Sequence, residues 1–279
     1  MSSLDIPCSR TECAERRGGS KVFMSTRNLS ILSIIVILVV WELSTSILNL
    51  IPALFLPSPS RIVLDFFRTM ITPFAGATFI EHLLTSLYLV VSAFIIAVIT
   101  GVTLGIFMGW YETFDRIVYP IFQLIRPIPP LAWIPLAIVW FGIGVASKVF
   151  VIWLSAFVPS LINAYIGIKM TDRTLIEAAR VYGAKDRDLL WHVSIPSGLP
   201  LILTGIRLSL SNAWMTIVAA ELLAASAGLG YMMQIARRTL EPSIIALGML
   251  AIGILGTLMT RGLFILEKKL CPWREQQTS

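Results

Sequence analysis

Long stretches without a charge constrain this chain more than any other feature. Leu83 to Tyr111, Pro127 to Ser147, Val149 to Ile168 and Pro242 to Thr260 carry no Asp, Glu, Lys or Arg. Leu29 to Ile51 carries only Glu42, and Val193 to Ala220 carries only Arg207. About 20 apolar residues in helical form cross ~30 Å of hydrocarbon, and each run comes close to or exceeds that length. None alternates as a barrel strand does, and in lipid a helix is the remaining way to satisfy the backbone. The expectation is an all-α membrane protein with six transmembrane helices.

Charge supports this reading. Charged residues make up 14% of the chain, against about 25% in soluble domains. The net charge of +6 does not indicate a nucleic-acid partner, because the basic residues fall between the apolar runs. Lys and Arg favour the cytoplasmic side. With the N-terminus inside, the inside segments hold sixteen of the 22 Lys and Arg, including Arg116 and Arg126. The outside segments hold five: Arg61, Arg68, Lys148, Arg237 and Arg238. Both ends are therefore expected in the cytoplasm.

Residues 1–28 read as a polar cytoplasmic tail, 29–268 as the transmembrane domain and 269–279 as a second cytoplasmic tail. Met24 is an alternative start. The first run is too long for a signal-peptide core of about 7–15 residues. Cys8, Cys13 and Cys271 fall in the cytoplasmic ends, where disulfides are not expected. With His82 and His192 the only histidines, no metal site is expected. The chain holds no G-x-x-x-x-G-K-[ST], no H-E-x-x-H and no G-x-S-x-G. No catalytic residues are assigned, and any energy for uphill transport must come from a partner or an ion gradient.

The most polar internal stretch is the loop at 170–196. Thr171 or Asp172 can cap a short helix, and Leu175, Ala178, Ala179 and Tyr182 give it one apolar face. Gly183 can end it in the left-handed conformation. A second short helix carries Leu189, Leu190 and Val193, and Pro196 is expected to stop it before the next crossing.

This loop resembles the cytoplasmic loop of permeases of binding-protein-dependent ABC importers. The family pattern is E-A-A, three residues, G, nine residues, I-x-L-P. Here Glu177, Ala178, Ala179 and Gly183 match, followed by Val193, Ser194, Ile195 and Pro196, with two apolar swaps. Leu56-Pro57-Ser58-Pro59, Arg126-Pro127-Ile128-Pro129-Pro130-Leu131-Ala132-Trp133 and Trp140-Phe141-Gly142-Ile143-Gly144 are similar to the subfamily that imports taurine, aliphatic sulfonates, nitrate or bicarbonate. So are Gly205-Ile206-Arg207, Trp214, Val218-Ala219-Ala220-Glu221 and Gly228-Leu229-Gly230.

The resemblance implies a type I ABC importer permease in a bacterial plasma (inner) membrane, moving a small anion such as taurine or another sulfonate. It implies a homodimer with a second permease copy, two ABC ATPase subunits and a periplasmic or lipid-anchored substrate-binding protein. The chain itself would hold no cofactor, with ATP and Mg bound by the ATPase. The loop helix would lie in a groove of the ATPase and act as a lever. The competing readings are a nitrate or bicarbonate permease of the same family and a stand-alone secondary transporter using Glu42, Arg207 and Glu221 as coupling charges.

Inside the runs, Arg207 is the residue least suited to its surroundings, since an Arg at a helix centre costs about 2.5–3.5 kcal/mol on insertion scales. Glu42 lies at a comparable depth and is a possible partner. Thr204, Arg207, Ser211 and Trp214 share one helical face and are the candidate pathway, although small polar residues serve tight helix packing equally well. Gly101, Gly105 and Gly109 read as a close-packing stripe. The prolines between Arg126 and Pro135 read as a bend lining a cavity or as a kinked helix start. Trp110, Tyr111 and Trp273 suit the membrane interface.

Overall fold

A computed structural model describes residues 26–48, 52–224 and 227–270. Most of the expected N-terminal tail, Met24, the three cysteines and Trp273 lie outside the described residues. The described chain is all helix, with no strand beyond one isolated bridge between Phe74 and Ala77. In order the helices are α1 (Thr26–Glu42), α2 (Pro59–Ile71), α3 (Phe79–Trp110), α4 (Glu112–Ile125) and α5 (Ile134–Phe141). Then come α6 (Val145–Lys169), α7 (Arg173–Val181), α8 (Asp186–Leu189), α9 (Ile195–Ala224), α10 (Leu229–Arg238) and α11 (Pro242–Leu270).

The helices α3, α6, α9 and α11 are each long and apolar enough to cross a membrane. A fifth crossing is possible if α4 and the Pro130–Phe141 segment count as one bent unit, and Leu32–Ile47 is a shorter apolar helix.

Small residues set the central packing. A Cβ on Gly101 would meet Ser160 Oγ at 2.1 Å, one on Gly105 the Leu161 carbonyl at 2.5 Å, and one on Gly109 Ile168 at 2.7 Å. The stripe is thus a close contact with α6, as expected. The pairs advance together in both helices, so α3 and α6 run parallel, and the chain between them must return. The α6–α9 contact runs the other way: Gly167 meets Gly198, Asn163 meets Gly205, and Ser155 meets Asn212. In the α9–α11 pair, Trp214 lies at Gly256 and Arg207 at Glu267, again antiparallel. The end of α11 therefore lies on the same side as the 170–196 loop. Near the end of α1, Trp41 packs against the cluster that holds Phe79 and Ile244, at the opposite side.

Two expectations change here. Pro127 to Ser147 is not one helix. Residues 130–133 form a 3₁₀ turn, α5 has only eight residues, and Gly142 at φ 75° ends it. The returning unit instead begins at Glu112 and is bent by 86° before α5. Pro127, Pro129 and Pro130 lack the N–H groups that a continuous helix needs there. Nor does Pro196 stop a helix. It lies in the first turn of α9, which follows α8 through a wide π turn at Leu190–Ser194. Ile195 N–H bonds to the Leu190 carbonyl, five residues back. The extra residue in that turn shifts the carbonyl that the proline ring would otherwise strike.

Candidate functional site

The loop between α6 and α9 is built by its caps. The Asp172 carboxylate accepts the Thr174 N–H at 2.9 Å, and that bond holds its pKa below the ordinary aspartate value. Thr171 turns away, its hydroxyl donating to the Ile168 carbonyl. At the other end of α7, Gly183 sits at φ 87°. Gly183 N–H donates to the Arg180 carbonyl at 2.9 Å and Ala184 N–H to the Ala179 carbonyl at 3.1 Å. These are the paired bonds of a Schellman ending. Arg180 then reaches Asp186 at 3.1 Å, tying α7 to α8.

No residue of α7 is buried. Glu177, Ala178 and Gly183 are exposed, Ala179 half-buried. Leu175 is 52% exposed and Tyr182 91%, so much of the apolar face stays open among the described residues. Val193 and Ile195 are half-buried where the chain enters α9, and Pro196 is exposed. The loop is a rigidly capped projection with an open apolar side.

The α9 face divides. Ser211 and Trp214 line a cavity of about 490 Å³ between α9 and α11, with Met215, Thr257, Thr260 and Arg261. The indole N–H of Trp214 is buried without a hydrogen-bond partner. Thr204 does not line this cavity; its hydroxyl donates to the Pro200 carbonyl at 2.9 Å. Ser211 likewise donates to the Arg207 carbonyl, at 3.4 Å.

Arg207 does not pair with Glu42. Its Nη1 lies 3.2 Å from Glu267 Oε2 on α11. Glu42 instead accepts the Ser60 N–H at 3.0 Å and the Ser60 hydroxyl at 2.7 Å, at the start of α2. Equal depth was the wrong guide, because α1 meets α2 while α9 meets α11. The pair is half-shielded: Arg207's side chain is 30% exposed and Glu267's 8%. Arg207→Ala is therefore expected to cost about 1–2 kcal/mol of stability. Arg207→Leu combined with Glu267→Leu should recover most of it. A thermal melt of detergent-solubilised Arg207→Ala matching that of the unmodified protein would show that the pair carries no weight.

Glu221 was expected only as a candidate coupling charge, and the structure commits it elsewhere. It is 1% exposed. Oε1 accepts the Ser86 hydroxyl at 2.7 Å, and Oε2 accepts the Gly230 N–H at 2.7 Å. Ser86 Oγ in turn accepts the Leu229 N–H, and His82 Nδ1 accepts the Gly228 N–H. With Nδ1 accepting, Nε2–H is the donor to the Phe74 carbonyl at 2.9 Å. Three otherwise orphaned N–H groups at the start of α10 are thus satisfied by α3 and α9. Gly228, at φ 132°, leaves no room for a Cβ, which would stand 2.3 Å from Glu221 Oε1. The sequence held the signal as Glu221 followed by Gly-Leu-Gly, but not the two α3 residues that complete it. Lys148, expected in an outside loop, is a buried residue of the first turn of α6.

A family model described as "Binding-protein-dependent transport system inner membrane component" matches residues 101–272. The chain is 42% identical over 247 residues to the taurine transport system permease protein TauC of Escherichia coli (strain K12), covering 88% of this chain and 89% of that protein. It is 34% identical over 269 residues to the putative aliphatic sulfonates transport permease protein SsuC of Bacillus subtilis (strain 168), covering 96% and 95%. It is 31% identical over 243 residues to the formylaminopyrimidine transport permease protein ThiX of Halalkalibacterium halodurans, covering 87% and 94%. With a capped loop standing out from a bundle of long apolar helices, and similarity spanning nearly the whole of each relative, this chain belongs to the binding-protein-dependent transport system inner membrane components, a family of ABC transporter permeases.

Proposed function

We propose that this permease is the membrane subunit of an ATP-driven importer that carries taurine or another sulfonate into the cytoplasm. The observation that carries the reading is the 170–196 loop. Its helix is capped at both ends, and much of its apolar side is uncovered. A short helix of this kind gains stability by lying in a partner's groove. The partner is a pair of ABC ATPase subunits that hold ATP and Mg, with Glu177, Ala178, Ala179 and Gly183 at the contact and Val193, Ile195 and Pro196 passing the motion into α9.

The same reading places six crossings in a bacterial inner membrane. They are α1, α3, the bent α4–α5 unit, α6, α9 and α11, with alternating directions and both termini cytoplasmic. The basic residues of the loop and of the end of α11 lie on one side, which supports that orientation. One coupling loop per chain and two ATPases require two permease copies. A periplasmic or lipid-anchored binding protein would deliver the substrate from the other side, and Ser211 and Trp214 would meet it in the α9–α11 cavity. Glu42, Arg207 and Glu221, the charges a secondary transporter would use, are each held by a neighbour. The names of the taurine and sulfonate relatives support the substrate.

The test is uptake by the complete complex in proteoliposomes. Taurine uptake should require ATP and the binding protein, and longer sulfonates should compete better than nitrate or bicarbonate. A native mass should show two copies of this chain per two ATPases. Uptake driven by an ion gradient without ATP, or one permease copy per ATPase pair, would overturn the reading.

A further inference from the structure

The bend between α4 and α5 carries Arg126 far from either end of the bundle. The helix α4 climbs along α6, and its contacts give the register. Asp115 meets Tyr165 and Lys169, Tyr119 stacks on Tyr165 at 5.6 Å, and Phe122 packs with Leu161. Arg126 then lines a cavity of about 480 Å³ with Ser155 of α6 and Asn212 and Thr216 of α9. Ser155 lies about 15 Å from the start of α6 and about 21 Å from its end at 1.5 Å per residue. Arg126 is therefore near mid-depth and not, as its place in the sequence suggested, in a cytoplasmic segment. Neither end is within snorkelling reach.

A guanidinium at that depth needs a counter-group. Among the described residues Arg126 makes no ion pair. The acids within the apolar helices α1, α3, α9 and α11 are engaged: Glu42 by Ser60, Glu81 by Thr78, Glu221 by Ser86 and Gly230, Glu267 by Arg207. A second copy of the chain would bring the same engaged acids. The cavity wall adds one weakly engaged donor, Asn212 Nδ2, which makes only a 3.5 Å contact to the Ser155 carbonyl; the Thr216 hydroxyl donates to Ser155 Oγ at 2.7 Å and the Ser155 hydroxyl to the Asn212 carbonyl at 3.4 Å. Ile128, Leu131 and Val158 supply an apolar side. The volume falls within the ~300–1,000 Å³ of small-molecule sites. Met215, 78% exposed, lines both this cavity and the α9–α11 cavity, so the two adjoin.

We infer that the Arg126 bend is a transit site for the anionic head of the cargo. The guanidinium and the Asn212 amide receive the oxygens of a sulfonate, Ser155 and Thr216 complete the polar wall, and the apolar side takes the carbon chain. The site rests on the importer reading above and extends it to a location in the bundle separate from Ser211 and Trp214.

The experiment measures taurine uptake and ATP turnover by the complete complex in proteoliposomes. Unmodified protein that carries neither taurine nor pentanesulfonate overturns the importer reading and the site with it. If the unmodified complex transports, Arg126→Gln should lower uptake about tenfold or more, and Arg126→Lys should lower it less because the charge stays. Asn212→Ala should lower it about threefold, the scale of one lost hydrogen bond. ATP turnover with loaded binding protein should fall less than uptake in each case. Uptake within twofold of normal in assembled Arg126→Gln overturns the site. If Arg126→Gln does not assemble, Asn212→Ala and Thr216→Val decide, and normal uptake in both assigns Arg126 a structural role and overturns the proposal.

Discussion

Gly183→Val should abolish association with the ATPase subunits while the permease still inserts and folds. Gly183 sits at φ 87°, and an added Cβ would meet nothing within 4 Å. The cost is therefore in the backbone and not in crowding. A β-branched residue strongly disfavours positive φ, so the turn after α7 must open. Opening it breaks the bonds from Gly183 to Arg180 and from Ala184 to Ala179. It also moves Asp186 away from Arg180, so α7 loses its fixed angle to α8. No residue of α7 is buried and Gly183 is exposed, and the core clusters include neither. Thermal stability should consequently change little, while ATPase co-purification and taurine uptake are lost. Gly183→Asn should retain part of both, because asparagine tolerates the left-handed conformation. Normal co-purification by Gly183→Val would remove the lever role from this loop.

The loop was readable from sequence because its determinants are local. A capping aspartate, a run of helical spacing and a terminal glycine act within a dozen residues of one another. The long crossings were readable for a similar reason, since apolar length alone selects α3, α6, α9 and α11. Where the chain returns between α3 and α6, that measure failed. The charge-free interval from Pro127 to Ser147 suggests the crossing, yet the returning unit starts at Glu112 and includes charges at Asp115, Arg116 and Arg126. Three prolines within four residues marked the break but not the helix before it. Counting the interval also placed Arg126 in a cytoplasmic segment, and its depth emerges only from the register of α4 against α6.

Arg207 illustrates a different loss. Its isolation in a long apolar run was legible, and its partner was not. The charge-free run ends at Thr260 and leaves Glu267 beyond it, whereas α11 continues to Leu270 and places that carboxylate opposite Arg207. Helix adjacency is set by the packing of small residues at Gly167, Gly198 and Gly205. Depth along separate helices carries no information about which helices touch.

Glu221→Ala should be the most damaging single substitution at the α9–α10 junction. It removes the acceptor for Gly230 N–H and for the Ser86 hydroxyl, both buried. Each unsatisfied group costs about 1–3 kcal/mol, and the loss falls where α3, α9 and α10 meet. The yield of monodisperse protein extracted in detergent should drop sharply, and ligands of the ATPase should not restore it. Glu221→Gln separates shape from charge. Its carbonyl oxygen can accept from Gly230, and its amide can donate to Ser86 Oγ, whose second lone pair already accepts from Leu229. That variant should fold at near-normal yield and transport taurine. Ser86→Ala should fall between the two, because it leaves Leu229 N–H and one carboxylate oxygen without a partner. Gly228→Ala should resemble Glu221→Ala, since its Cβ would force the carboxylate out of the junction. Normal yield with abolished uptake in Glu221→Gln would mean that the negative charge itself serves transport, and the junction role alone would then be insufficient.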